Sequence, residues 1–179
     1  MSDMHVIKSA LQRAERTVTL RPERGRRIYT NVATLEAGTC CRIAEANHEI
    51  LLDVGRALGG NDAGPSPSMA LRSAMSGCVA IGIKQWAAQR DVQIDRLEVV
   101  LETNVDARGQ LGVDEDIVPG FEAIRLTITV QSPAPRRHIF EAIETALKFS
   151  PLMDVFLNPQ TIERRVVFAE ASDRKQGAT

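Results

Sequence analysis

Three thiols are the reactive side chains that stand out in this chain: Cys40, Cys41 and Cys78. A thiolate can act as a nucleophile, a metal ligand or a redox centre, and spacing separates these roles. An odd count of cysteines, in a chain whose first ten residues carry Asp3 and no apolar core, is no disulfide framework of an exported protein. A cytoplasmic location is the default expectation. The histidines His5, His48 and His138 are scattered, with no HxH or HxxxH pair, so neither a metal site nor a cofactor is expected. His48 and His138 lack an evident carboxylate partner and read as exposed structural residues rather than general bases.

The elements that must position these thiols follow from local pattern. Met4, Ile7, Leu11 and Ala14 recur at helical spacing, which predicts an N-terminal helix or arm over 4–15. Arg21, Arg24, Arg26 and Arg27 follow with Pro22 and Gly25 among them; in a chain of neutral balance a solvated loop is favoured over an anion patch. Segments 29–35, 39–44 and 48–54 are strand-like with short gaps, an antiparallel meander. The stretch 59–67 is a loop rich in Gly and Pro that matches neither GxxxxGK[ST] nor GxGxxG, so a phosphate cradle is disfavoured. Ser66 and Pro67 are an N-cap and a first helical residue for a long helix over 67–90. That helix is apolar nearly all round, the mark of a buried central helix in a core or a tight dimer.

Strands over 97–105 and 121–130 follow, separated by a polar loop. A second helix over 135–149 is ended by Pro151, with a short helix over 152–157 and a last strand over 161–168. Strands and helices are segregated rather than alternating, so the fold class is α+β. At 100° per residue, Leu71, Ala74, Met75, Ile81 and Gly82 lie within about 60° of Cys78, which therefore stands on an apolar stripe. A lone cysteine in such a place usually serves as a small hydrophobe. The second helix carries Ile143, Ala146 and Leu147 in register and ends at Ser150, where a residue at the end of one buried helix could face a thiol on another.

Composition narrows the function classes. With 179 residues, 44% hydrophobic and 25% charged, the chain has the make-up of one ordinary folded domain. A net charge of -1 gives no basic excess for a polyanion, and aromatics at 4% leave Trp86 and Tyr29 as packing residues rather than a stacking platform, so nucleic acid is not an expected partner. No run of about 18 apolar residues exists, so no membrane span is expected.

The run LGGNDAGPSPSMALRSAMSGCVAIGI, residues 58–83, resembles the signature of the OsmC/Ohr family of thiol-dependent hydroperoxide reductases: a GG loop, G-P-x-P, about ten residues of helix, then a cysteine among small residues. The preceding HEILLDVGRALGG, the second helix ending at Ser150-Pro151 and the closing segment extend the likeness over about 30–168. The resemblance implies an antiparallel sheet with two long central helices in an intertwined homodimer whose sites lie at the subunit interface. It implies an arm and basic loop over 1–28, the OsmC-like domain over 29–169 and a frayed tail over 170–179. It assigns attack on the peroxide O–O bond to Cys78. Ser150 stands where the family has a resolving cysteine, Ser68 where it has a glutamate that orients an arginine, and Arg42 is the equivalent of that arginine.

Attack on peroxide needs the thiolate, and an apolar pocket disfavours a thiolate unless a cation stands near. With serine at 150, resolution of a sulfenic acid falls to an external thiol reductant or to Cys40 or Cys41. The expected function is thus reduction of organic hydroperoxides by Cys78 with an external thiol. The alternative is a non-catalytic dimer that binds a small hydrophobic ligand or serves a stress-related role.

Overall fold

Local signals set most of the elements. In the computed structural model, which describes residues 3–168, helix α1 spans Asp3–Leu20 and runs on past Glu15 to the Arg21-Pro22 step, where a 3-10 turn, Pro22–Gly25, begins. Three short strands follow, β1 (Val32–Leu35), β2 (Cys41–Glu45) and β3 (His48–Leu52). They form an antiparallel meander in which Thr34 pairs with Arg42 and Arg42 with Leu51. Helix α2, Pro67–Gln89, starts as its sequence dictates: the Ser66 hydroxyl accepts from the Met69 N–H at 3.2 Å, and Pro67 takes the first position.

Strands β4 (Arg96–Asn104) and β5 (Ala123–Gln131) pair antiparallel over nine residues, with Leu101 opposite Leu126. A short helix α3, Ala107–Gln110, sits in their connection, capped by the Asp106 carboxylate. Helices α4 (Arg136–Lys148) and α5 (Pro151–Leu157) complete the described chain.

The core is the seam between α2 and α4, closed by β4 and β5. Val79, Ile83 and Ala87 of α2 meet Ala142 and Ala146 of α4, and the inward faces of the strands (Leu97, Val99, Leu126, Ile128, Val130) pack against them. Gly82 lets the two helices approach: a Cβ there would stand 3.7 Å from that of Ala146. Burying these aliphatic side chains contributes about 1.5–3 kcal/mol for each large one.

Two expectations are corrected. The segment 161–168 is not a strand: it is irregular and unpaired, with Ile162 and Phe168 about 90% exposed. A strand exists only with an edge to pair with, and none stands beside this segment in the chain. The sheet is also divided. Among the described residues β1–β3 and β4–β5 are separate and no helix packs extensively on the meander, so α2 is not covered by sheet on all sides. The helix keeps an open apolar stripe, with Leu71 at 43% and Ile81 at 62% exposed. The expected tail over 170–179 lies outside the described residues. No helix among the described residues is long and apolar enough to cross a membrane.

Candidate active site

Cys78 lies at the middle of α2, on the edge of the open stripe, half-buried. Helix α4 ends at Lys148, and the chain turns at Phe149 into Ser150, which is only 5% exposed. The turn is set by Pro151, which cannot continue α4 but suits the first position of α5. Ser150 is the N-cap of α5, its hydroxyl accepting from the Met153 N–H at 3.3 Å. The same hydroxyl lies 3.4 Å from Cys78 Sγ, so thiol and hydroxyl share a hydrogen bond across 72 residues of sequence. With its lone pairs facing the Met153 N–H, the hydroxyl proton is free to point at the sulfur, where it would stabilise a thiolate or a sulfenate.

The pair opens on a cleft of about 280 Å³ whose walls include Ile81, Gln85, Trp86, Ala146 and Phe149. Trp86 and Phe149 stack obliquely with centroids 5.5 Å apart, and the Arg90 guanidinium lies over the Trp86 ring at 5.2 Å from its centroid. The cleft lining carries no charged side chain. The cleft is apolar apart from the thiol, the Ser150 hydroxyl and the Gln85 amide.

Arg42 and Ser68 are not part of this lining. Arg42 stands on β2, where its Nε donates to Glu36 at 2.7 Å and its Nη1 to Glu49 at 3.1 Å; those carboxylates hold its guanidinium above its usual pKa. Ser68 sits in the first turn of α2, about 15 Å of helix rise before Cys78. Cys40 and Cys41 are free thiols at the start of β2. Burial pushes the Cys40 thiol up, and the carboxylates of Glu36 and Asp53 add to the shift.

One important residue escapes a motif search: Asp53. It is 2% exposed and organises the whole glycine-rich loop that leads into α2. Its carboxylate accepts from the Thr39 hydroxyl at 2.6 Å and from the N–H groups of Val54, Asn61 and Ala63. Those donors, Thr39 first, hold it at about 2. The loop closes so tightly that a Cβ on Gly60 would stand 1.9 Å from the Val54 carbonyl oxygen, and one on Gly64 2.3 Å from that of Leu51. The signal in the sequence is an acid at the end of a strand just before a loop with many free N–H groups. The glycines are therefore needed for close backbone approach, and the cradle is filled by the protein's own carboxylate.

A family model described as OsmC-like protein matches residues 59–164, more than half of the chain. The chain belongs to the OsmC-like family. Solved structures share the fold at low identity. An OsmC-like protein from Mycoplasma pneumoniae superposes with a TM-score of 0.63 at 19% identity, over 74% of this chain and 89% of that one. An organic hydroperoxide resistance protein OsmC from Legionella pneumophila gives 0.54 at 15%, over 73% and 91%. An organic hydroperoxide resistance protein from Elizabethkingia anophelis gives 0.53 at 16%, over 73% and 88%. No protein of curated function matches the sequence. Helix α1, the basic turn and the meander precede the family match.

Proposed function

We propose that this OsmC-like protein reduces organic hydroperoxides with Cys78 as its attacking thiol, working as a homodimer with an external thiol as reductant. The observation that carries the reading is the meeting of Cys78 and Ser150 at 3.4 Å on an apolar cleft, the place where the family joins its two cysteines. The thiolate attacks the distal peroxide oxygen, the O–O bond breaks, and a proton goes to the departing alkoxide: Cys78–S⁻ + ROOH + H⁺ gives Cys78–SOH + ROH. A first reductant thiol condenses with the sulfenic acid, releasing water and leaving a mixed disulfide. A second reductant thiol displaces Cys78 and leaves as the reductant disulfide. The Ser150 hydroxyl cannot form the internal disulfide; its role is to hydrogen-bond the sulfur.

The dimer is supported by exposed apolar surface. Large apolar side chains stand exposed on the α2 stripe (Leu71, Ile81), on the meander (Leu35, Ile50) and in the segment 161–168 (Ile162, Phe168). A second copy is the partner whose strands and stripe match these by symmetry.

The uncharged lining of the cleft favours the second reading, a non-catalytic dimer that holds a small hydrophobic ligand beside Cys78. One experiment separates the two. The purified protein is mixed with tert-butyl hydroperoxide and dithiothreitol, and peroxide loss is followed with sulfenic-acid trapping at Cys78. Consumption that vanishes in Cys78→Ser supports the reductase. Wild-type consumption equal to that of the variant leaves the ligand-binding dimer.

A further inference from the structure

The basic segment after α1 is folded around a hollow on that helix. Residues 13–27 hold six arginines against Glu15 and Glu23, a net +4 in a chain whose total is -1. Among the described residues none of these arginines reaches a carboxylate. The 3-10 turn Pro22–Gly25 folds back on α1, with Gly25 seated against Val18. This places Arg24, Arg26 and Arg27 around a hollow of about 590 Å³ floored by Ala14, Thr17 and Val18. Ala14 and Val18 also wall a groove of about 360 Å³ that runs between α1 and α2 to Trp86. Trp86 in turn walls the Cys78 cleft. Leu11 continues the apolar wall into a further hollow between α1 and α2, lined by Ile81 and Gln85, which also border that cleft.

Thiol, apolar walls and guanidinium cluster are thus linked through shared wall residues, Ala14 and Val18 at one step and Trp86 at the next. Helix rise separates Cys78 from Trp86 by about 12 Å and Leu11 from Val18 by about 10 Å, a path on the order of 20 Å. A short alkyl group does not span it and a long acyl chain does. One carboxylate, Glu15, stands on the rim of the middle groove, so an anion is disfavoured there and favoured at the arginine end.

We propose that Arg24, Arg26 and Arg27 form an anion site for the carboxylate of a free long-chain acid, whose chain lies along the α1–α2 groove toward Cys78. The charge of the hollow selects the carboxylate and the groove selects the chain. The site lies outside the residues that define the family, so it is a property of this chain. It shares the Cys78 cleft with the reductase reading, but binding is read without turnover.

Trp86 is the only tryptophan and stands where groove and cleft meet, so its emission reports occupancy. The full-length protein is titrated with oleate, oleyl alcohol and acetate, alongside the variant Arg24→Gln/Arg26→Gln/Arg27→Gln, whose fold is checked by circular dichroism. Oleate is expected to change Trp86 emission saturably, and the variant is expected to bind it about tenfold or more weakly, the scale of lost hydrogen bonds to a charged group. Oleyl alcohol is expected to bind both proteins alike, and acetate neither. Equal oleate affinity in the two proteins overturns the proposal, as does oleate binding that leaves Trp86 emission unchanged. Binding to phosphatidylglycerol vesicles that oleate does not compete with assigns the arginines to a membrane surface and also overturns it. Peroxide consumption with tert-butyl hydroperoxide, which needs no carboxylate, is measured in parallel; its absence sinks the reductase while leaving the acid site standing.

Discussion

Replacing Ser150 by cysteine converts a thiol–hydroxyl contact into a dithiol, and the structure sets what must follow. Cys78 Sγ and the atom at the Ser150 Oγ position are 3.4 Å apart, and an S–S bond needs about 2.05 Å. A carbon–sulfur bond is longer than carbon–oxygen, so part of that gap closes on substitution and rotation of the two side chains closes the rest. In the reduced variant the cap of α5 weakens, because the thiol accepts poorly from the Met153 N–H; lost caps cost about 0.5–2 kcal/mol. At about 2–4 °C per kcal/mol for a chain of this size, the reduced variant should melt a few degrees below wild type.

Oxidation then closes a loop of 72 residues, worth about 4 kcal/mol in the chain-entropy estimate. The oxidised variant should melt about 10 °C above its reduced form. The assay is thermal melting of reduced and peroxide-treated protein, with peptide mapping under non-reducing conditions to find the 78–150 link. Wild type should form no such link, and its Cys78 should pass to sulfinic acid unless a thiol is added. A variant that forms no link with peroxide or with diamide refutes the meeting of α2 and α5 at these residues.

Cys78→Ser should abolish peroxide-dependent sulfenic-acid trapping, while Cys40→Ser and Cys41→Ser should leave it nearly intact; equal labelling of all three thiols in wild type would end the reductase reading. Asp53 has a folded pKa of about 2 against an ordinary 3.8, so its stabilisation is complete above about pH 4 and is lost as pH falls toward 2. Urea melts from pH 6 to pH 2 should show that loss in wild type, and Asp53→Asn, less stable at pH 6, should show a shallower fall. Sedimentation at micromolar concentration should give twice 19.6 kDa, and Ile81→Glu on the open stripe should shift it toward one copy; a monomeric wild type refutes the dimer. If Arg42 acts across the dimer, co-refolding inactive Cys78→Ser with inactive Arg42→Gln chains should restore activity, because one site of each mixed dimer then keeps both groups. No recovery in verified mixed dimers places any such role within one chain.

What was legible in the sequence was local. Ser66-Pro67 announced the start of α2, Pro151 the end of α4, and the alternation of Leu97, Val99 and Leu101 the strand β4, because caps, breakers and periodicity act within a few residues. Pairing is not local. The segment 161–168 carries residues that suit a strand, Ile162, Val166, Val167 and Phe168, yet its pairing depends on an edge that no stretch of sequence names. The division of the sheet was hidden for the same reason, since the meander is compatible with packing on α2 or on another copy. Asp53 was missed because its role needs four donors from Thr39, Val54, Asn61 and Ala63 to converge, and only the loop's closure brings them together. Ser150 was placed opposite Cys78 by the family resemblance; helix periodicity alone gave its face but not its neighbour.

The uncovered surface and the incomplete chemistry of the cleft coincide, and the coincidence bears on how the proposed enzyme would work. Cys78 stands beside Leu71, Ala74 and Ile81, the residues of α2 that one chain leaves open, and the lining of its cleft offers hydrogen bonds but no cation. The cation proposed as the counterpart of the family's arginine, Arg42, lies on the other unpacked element, the meander. There Glu36 engages its Nε and Glu49 its Nη1, which leaves Nη2 unengaged by either carboxylate. Those two acids engage the guanidinium without any contribution from position 68, where this chain has serine. A meander laid over the stripe of a second copy would bury Leu35 and Ile50 against Leu71 and Ile81 and carry Arg42 toward the thiol in one step. Dimerisation would then be the switch that makes Cys78 reactive, since a thiolate beside a desolvated guanidinium is favoured where one in an uncharged cleft is not. On that account the rate of Cys78 alkylation by iodoacetamide should rise with protein concentration through the dimer equilibrium. A rate independent of assembly in Ile81→Glu and wild type alike would show that the thiol owes nothing to the second copy.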